Sequence, residues 1–271
     1  MGKKRSVNTF SSVSRKISQG YGRGEQLTYK PWLSGHEFAS RGMYIRLIGR
    51  TIPRIYSFMS RLEADAFILY DCMDDVNDIL EQYYLTLEET LEIADLLNIK
   101  HPTSGKYYNP LTTDLMIRRG DAWIARAVKT SRDLEDHRTI EKLEIERIYH
   151  ERRGINWKII TERQLNRDLI QNLSWLWYDT TPEVISPNET FIQEAEAVFL
   201  SLYDEYILPF PVLLDRIESL FFLEPGYGIN IFKSLVRKGS ININLSKPIN
   251  MADPLHPIER NYSHERYHSY C

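Results

Sequence analysis

Cysteine is almost absent from this chain: Cys72 and Cys271 are the only two in 271 residues. Two cysteines cannot build a disulfide framework. They fit a reducing compartment, and Cys72 is expected in the core. Long apolar runs are missing too. No stretch approaches the ~18 consecutive apolar residues of a membrane span, so no membrane partner is expected. Met1-Gly2-Lys3-Lys4-Arg5-Ser6-Val7-Asn8 leads into no apolar segment, and no signal peptide is expected. Gly2 followed by Ser6 matches a myristoylation pattern only superficially. No internal repeat is visible. Gly20-Tyr21-Gly22-Arg23-Gly24 lacks the strand-then-helix setting of a phosphate-binding fingerprint and reads as a flexible loop with an embedded arginine. Net positive charge is also lacking: the formal charge is −3, which argues against a general nucleic-acid binder.

The distribution of charge changes that reading. Residues 1–54 carry eleven Lys/Arg and only Glu25 and Glu37 as acids, a balance of +9 against −12 for the rest. A basic arm on an acidic body points to a localised polyanion contact, and Arg41, Arg46, Arg50 and Arg54 are its candidate DNA-binding residues. Within the arm, Phe10, Val13 and Ile17 fall at helical spacing. Seventeen Tyr and five Trp serve cores and interfaces more readily than base stacking.

The body alternates periods. Residues 43–48 and 52–58 read as strands around Gly49-Arg50-Thr51. Ser60 caps a helix running to about Cys72, and residues 76–85 form another strand. Thr86-Leu87-Glu88-Glu89 is a capping box opening a helix to about Leu97. A hairpin follows over 111–117 and 123–129. Then come a helix over 139–153, a strand over 156–161 and a helix closing near Tyr178. Hairpins mixed with helices give an α/β, mixed α+β fold.

Three segments carry chemistry. Ser60-Arg61-Leu62-Glu63 places an acid at the opening of an apolar helix. Asn109-Pro110-Leu111-Thr112-Thr113-Asp114 places one in a strand, and Ile124-Ala125-Arg126-Ala127-Val128-Lys129 ends the next strand on a lysine, fifteen positions later. Phosphodiester hydrolysis needs carboxylates to hold Mg²⁺ beside the phosphate, and a cation near the attacking water and the developing charge. Glu63, Asp114 and Lys129 stand in the order of a metal-dependent nuclease of the Asp/Glu-x-Lys type. Structural roles are open for each: a capping box for Glu63, a solvated strand edge for Asp114, a snorkelling strand end for Lys129.

Beyond residue 179, Asp179-Thr180-Thr181-Pro182 marks a linker. Helices are expected over 189–206, 212–222 and 229–238. Ile241, Ile243 and Leu245 then alternate, with Ile249 and Met251 across a Ser246-Lys247-Pro248 turn. Three helices and a hairpin is a winged-helix order, in which Lys233, Arg237, Lys238 and Lys247 could face DNA. Its helices are acidic, so a protein partner is preferred, met by the apolar faces of 210–222 and 227–236. The domains expected are a basic arm and first strand at 1–54, a nuclease body at 43–178, a winged-helix-like partner-binding domain at 182–253 and a polar tail at 254–271.

More specific text runs in one order: Pro31-Trp32-Leu33, Leu62-Glu63, Val76-Asn77-Asp78-Ile79-Leu80-Glu81-Gln82-Tyr83, Lys100-His101-Pro102, Thr113-Asp114 and Val128-Lys129, then Arg138-Thr139-Ile140-Glu141-Lys142-Leu143-Glu144-Ile145-Glu146-Arg147 and Ile155-Asn156-Trp157. Over about 20–178 this resembles the TnsA family, endonuclease subunits of heteromeric cut-and-paste transposases. The resemblance implies a restriction-endonuclease-like domain followed by a winged-helix-like domain. It implies cleavage of the non-transferred 5′ strands at transposon ends and a bacterial cytoplasmic setting. The implied partners are transposon-end DNA, an integrase-type (TnsB-like) transposase and an AAA+ ATPase regulator (TnsC-like). It makes Glu63 and Asp114 Mg²⁺ ligands, with Mn²⁺ able to substitute, Lys129 the catalytic lysine and Glu146 a further acid near the site. Glu146 also fits an ordinary solvated, ion-paired helix. The residue two before the lysine should be Glu or Gln but is Ala127, which removes one ligand of a two-metal site; Glu63 or a backbone carbonyl such as that of Val128 is expected to complete one site. A stand-alone restriction or repair nuclease of the same chemistry, and a degenerate adaptor bridging transposase and ATPase, are the alternatives.

Overall fold

A computed structural model describes residues 10–33, 44–179, 189–205 and 209–249. The chain divides into two compact units, residues 1–166 and 167–271.

The first unit opens with helix α1 (Phe10–Ser18) and the hairpin β1 (Ile45–Ile48)–β2 (Ile55–Phe58), paired Ile48 to Ile55. The hairpin loop is clamped by Asp71, whose carboxylate accepts the backbone N–H groups of Arg50 (2.5 Å) and Thr51 (3.0 Å). Helix α2 (Arg61–Asp71) carries that aspartate at its last turn. It starts where expected because Ser60 Oγ accepts the Glu63 N–H at 3.1 Å.

Next come β3 (Val76–Tyr84), helix α3 (Leu87–Leu96) and a short hairpin of β4 (Thr103–Ser104) and β5 (Tyr107–Tyr108). Then follow β6 (Thr112–Arg119), β7 (Ala122–Val128), helix α4 (His137–Glu151) and β8 (Asn156–Ile160). The central sheet has the order β3-β6-β7-β8. Its first two pairings are antiparallel and the last is parallel. A parallel neighbour demands a crossover, which α4 supplies. The expected capping box at α3 is not made. Thr86 Oγ1 contacts the Tyr149 hydroxyl at 3.2 Å, and Glu89 pairs with Arg153.

The segment expected as a loose loop is folded. Arg23 bridges to Lys30, and Tyr29 and Trp32 are buried. Trp32 N–H donates to the Gln82 carbonyl (3.2 Å), the Tyr29 hydroxyl to the Glu81 carbonyl (3.0 Å) and Gln26 N–H to Asp78 (2.8 Å). β3 is an edge strand of the sheet, and this segment occupies acceptors that the edge would otherwise leave open. A Cβ on Gly22, at φ +70°, would stand 2.4 Å from the Tyr84 Cβ, so no larger residue fits that approach.

The second unit comprises α5 (Arg167–Trp177), α6 (Glu189–Glu205), α7 (Phe210–Leu220) and α8 (Tyr227–Arg237). Its core gathers Leu169, Leu173, Leu176, Phe199, Phe210 and Phe232, with the Phe210 and Phe232 rings 4.6 Å apart. Helix α5, expected to close the nuclease, packs here, which moves the boundary from 178 to 166. The expected hairpin is not formed over the described residues 240–249. The Asn172 amide instead donates to the carbonyls of Leu245 (2.8 Å) and Lys247 (2.7 Å), taking acceptors that a β-ladder would need. Met251 and the tail from 254 lie outside the described residues, as does most of the linker. The apolar faces of α7 and α8 assigned to a partner are largely spent on this unit's own core; Val212, Leu220 and Phe222 stay exposed.

Candidate active site

Glu63 is delivered by the first turn of α2. Its capping role is real: its carboxylate accepts from Met59 N–H (3.1 Å) and Ser60 Oγ (3.0 Å). Yet it is buried at 8% exposure and reaches across to β3, where Gln82 Nε2 lies 3.3 Å from Oε2. The same amide nitrogen lies 3.4 Å from Asp114 Oδ1 on β6. Asp114 is no solvated edge residue. Its Oδ2 accepts the Val128 backbone N–H at 2.7 Å and the Lys129 ammonium at 2.6 Å. Lys129 is pinned at the end of β7, where its own N–H donates to the Ile160 carbonyl of β8 (3.0 Å), and its ammonium also reaches the Val128 carbonyl (2.9 Å). The hairpin, the parallel crossover and the helix cap thus bring Glu63, Asp114 and Lys129 to one point.

Electrostatics follow from burial. Loss of solvent, then the Asp114 charge, pushes the Glu63 carboxyl up to about 7, against hydrogen bonds from Met59 and Ser60 and the Lys129 charge. Burial pulls Lys129 down, but the charge and hydrogen bond of Asp114, with Glu146 and Glu63 beyond, more than offset it. Its pKa is raised, and the ammonium stays charged.

Residues 73–162 match the family described as the TnsA-like endonuclease N terminal. The Transposon Tn7 transposition protein TnsA of Escherichia coli is 30% identical over 245 residues, covering 89% of this chain and 89% of its own. The chain belongs to the TnsA family.

In this TnsA-family site, Glu146 on α4 is buried at 6% exposure rather than solvated, and the Trp157 indole N–H donates to it at 3.0 Å. Burial, then the Asp114 charge, pushes its carboxyl up to about 7, against Lys129, Trp157 and Thr113. Its neighbours follow the other reading: Arg147 pairs with Glu144 and Glu151. Behind it, Thr113 Oγ1 lies 2.7 Å from His150 Nε2, and burial, then the Arg153 charge, pushes that imidazole down to about 4. It is neutral at pH 7.

Among the described residues, no group of three His, Cys, Asp or Glu stands where it could hold a metal ion. The two carboxylates of Glu63 and Asp114 and the Val128 carbonyl are the donors at hand, because Ala127 is fully buried and has no side-chain donor. They fit a hard divalent cation. All are oxygen atoms, and the Lys129 ammonium on Asp114 Oδ2 and the Val128 carbonyl marks that pair as a seat for positive charge.

The arm arginines do not act as a set. Arg41 lies outside the described residues. Arg46 is exposed on β1, and Arg50 is exposed beside Asp74 (3.1 Å). Arg54 is not a DNA-facing residue. Its guanidinium is buried in a fork on Glu81 (2.9 and 2.5 Å), also donates to the Ile79 carbonyl (2.8 Å) and lies over the Tyr56 ring at 3.7 Å. In the second unit, Lys233 is buried on the Asp179 carbonyl (2.7 Å) and so is withdrawn from the cationic face considered for a winged helix, whereas Lys238, paired with Glu196 (2.7 Å), Arg237 and Lys247 are exposed. Sequence reasoning missed Gln82. Its strand stood in the quoted motif, but no local signal marks one buried amide as part of a site.

Proposed function

We propose that this chain is the Mg²⁺-dependent endonuclease of a heteromeric DNA transposition system, cutting the non-transferred 5′ strands at transposon ends, with Mn²⁺ able to replace Mg²⁺. The observation that carries this reading is the convergence of Glu63, Asp114 and Lys129 across α2, β6 and β7 in a member of the TnsA family. Glu63, Asp114 and the Val128 carbonyl would hold the ion. When bound, such an ion polarises the scissile phosphate and makes its water a nucleophile at neutral pH. The chain supplies the rest. The Val128 N–H fixes the Asp114 carboxylate, and Lys129 offers a lasting positive charge to the developing phosphorane. Glu146, held near 7 beside them, can take or return a proton at working pH.

Of the four arm arginines, Arg46 is exposed on β1, and Arg50, exposed but paired with Asp74, would exchange that partner for a phosphate. A second surface of net positive charge is a cleft of about 470 Å³ that includes Lys100, Lys142 and Arg138, the last paired with Glu141 of the same cleft. A TnsB-like transposase and a TnsC-like ATPase are the proposed partners. The exposed Phe222, Leu220 and Val212 of the second unit are apolar surface left for a protein contact.

The test is strand-resolved nicking of transposon-end DNA in Mg²⁺, with and without the two partners. Asp114→Asn and Lys129→Met should each lose at least ~10²-fold in 5′-strand cleavage, the scale of removing one transition-state charge contact, while the protein remains folded. Wild-type nicking rates from Lys129→Met would sink the assignment. Full activity without partners would favour the stand-alone nuclease, and none under any condition the adaptor.

A further inference from the structure

Gln82 sits in a place that a strand residue does not take by default. Counting along the antiparallel ladder from Glu81–Leu115 and Tyr83–Thr113, it falls opposite Asp114. Its φ is +50°, left-handed for a residue with a full side chain, in the interior of β3. Such a conformation is strained and persists where the surroundings enforce it. Here the Trp32 N–H holds the Gln82 carbonyl from outside the sheet (3.2 Å). The side chain, 3% exposed, carries its amide between the two carboxylates.

The contacts there are loose. Nε2 stands 3.3 Å from Glu63 Oε2 and 3.4 Å from Asp114 Oδ1, both beyond the usual range for N–H···O bonds. On its other side, Oε1 accepts from Thr112 Oγ1 at 3.1 Å. A hydroxyl donates or accepts equally well. If the amide turns over, Thr112 can accept from Nε2 instead, and nothing is lost on that side. The carboxylate side decides the orientation. Two carboxylates with no divalent cation favour the N–H₂ group; a bound divalent cation would favour the carbonyl oxygen.

We propose that Gln82 is a side-chain ligand of the metal site. Its carboxamide tethers Glu63 and Asp114 through Nε2 in the metal-free protein and presents Oε1 to the divalent cation once that ion is bound. It thereby supplies the neutral oxygen that Ala127 cannot. Amide carbonyls are ordinary hard ligands for such ions. This inference rests on the metal-dependent reading of the site.

Mn²⁺ binding to the full-length chain tests it, read by electron paramagnetic resonance of the free aquo ion and by the Mn²⁺-induced shift in melting temperature. Wild type should bind, and Asp114→Asn should lose at least tenfold in affinity. Gln82→Ala should weaken binding by about 10–100-fold, a range that outer-shell partners also reach. Gln82→Glu separates the roles. A ligand replaced by a carboxylate should bind Mn²⁺ at least as tightly as wild type, and the variant should melt lower in chelator and recover in Mn²⁺. A residue that acts only as a donor loses that function in Gln82→Glu. Weaker binding than wild type, or a failure to fold even in saturating Mn²⁺, would therefore overturn the assignment. If wild type binds no Mn²⁺, or Asp114→Asn binds as well as wild type, the metal reading itself falls and this inference with it.

Discussion

Arg54 offers the sharpest contrast between a surface role and a core role. Glu81 is fully buried, and Arg54 satisfies it with two hydrogen bonds, at 2.9 and 2.5 Å. Burial raises the Glu81 pKa, and the Arg54 hydrogen bonds and charge oppose that rise. Replacing Arg54 by Ala removes the partner and strands that carboxylate where water does not reach. Breaking one side of a buried pair costs about 3–5 kcal/mol. The lost guanidinium–Tyr56 contact, 3.7 Å from the ring centroid, adds roughly 0.5–2 kcal/mol. Each kcal/mol moves the midpoint by roughly 2–4 °C in a domain of this size, so Arg54→Ala should melt on the order of 10 °C or more below wild type. Arg54→Met with Glu81→Leu should recover much of that loss, because the stranded charge goes with its partner. Thermal melts and urea titrations of wild type, Arg54→Ala and the double variant measure it. A salt titration of DNA binding by Arg46→Ala, a surface variant that leaves the fold intact, gives the contrast: its slope should flatten by about one. An Arg54→Ala protein with wild-type stability and a flattened salt slope would refute the core assignment and return the residue to the DNA surface.

Protons and metal should compete at the site. Glu63 and Glu146 titrate near 7 in the fold against an ordinary 4.5. Stability from these two is therefore full below about pH 4.5 and falls as pH rises to about 7, by roughly 3 kcal/mol per group. His150, pushed down to about 4 from 6.5, has the opposite slope and offsets about one of them. Mn²⁺ affinity should accordingly rise steeply between pH 5.5 and 7.5 and level off above; a flat profile would show that the carboxyls are already ionised. The unit boundary is testable by truncation. A fragment starting at Arg167 should melt cooperatively. One starting at residue 180 should not, because it lacks Leu169, Leu173 and Leu176, all buried and worth about 1.5–3 kcal/mol each. That sum rivals the whole stability of a small domain. Equal melting of the two fragments would place α5 outside this core.

What the sequence determined by itself is local. Hydrophobic period and caps placed the elements, since a helix or strand is chosen by side chains within a few positions. The Ser60–Glu63 cap lies three residues apart, and it formed. Glu63, Asp114 and Lys129, which converge in the structure, stood out as charged groups on otherwise apolar elements, the residue types that phosphodiester cleavage would need. Tertiary structure decided whatever depends on a partner far along the chain. Arg54 became a core residue because Glu81 lies 27 positions away in the adjoining strand. The Thr86 hydroxyl was claimed by Tyr149, 63 positions on, in place of its own helix. The expected hairpin after Gly239 did not form over the described residues, where Asn172 of α5 took the carbonyls of Leu245 and Lys247. Gln82 entered the site only through a left-handed turn of β3 held by Trp32. Charge type and period are written into neighbouring residues, whereas the pairing of buried polar groups is settled only when distant segments exclude water together.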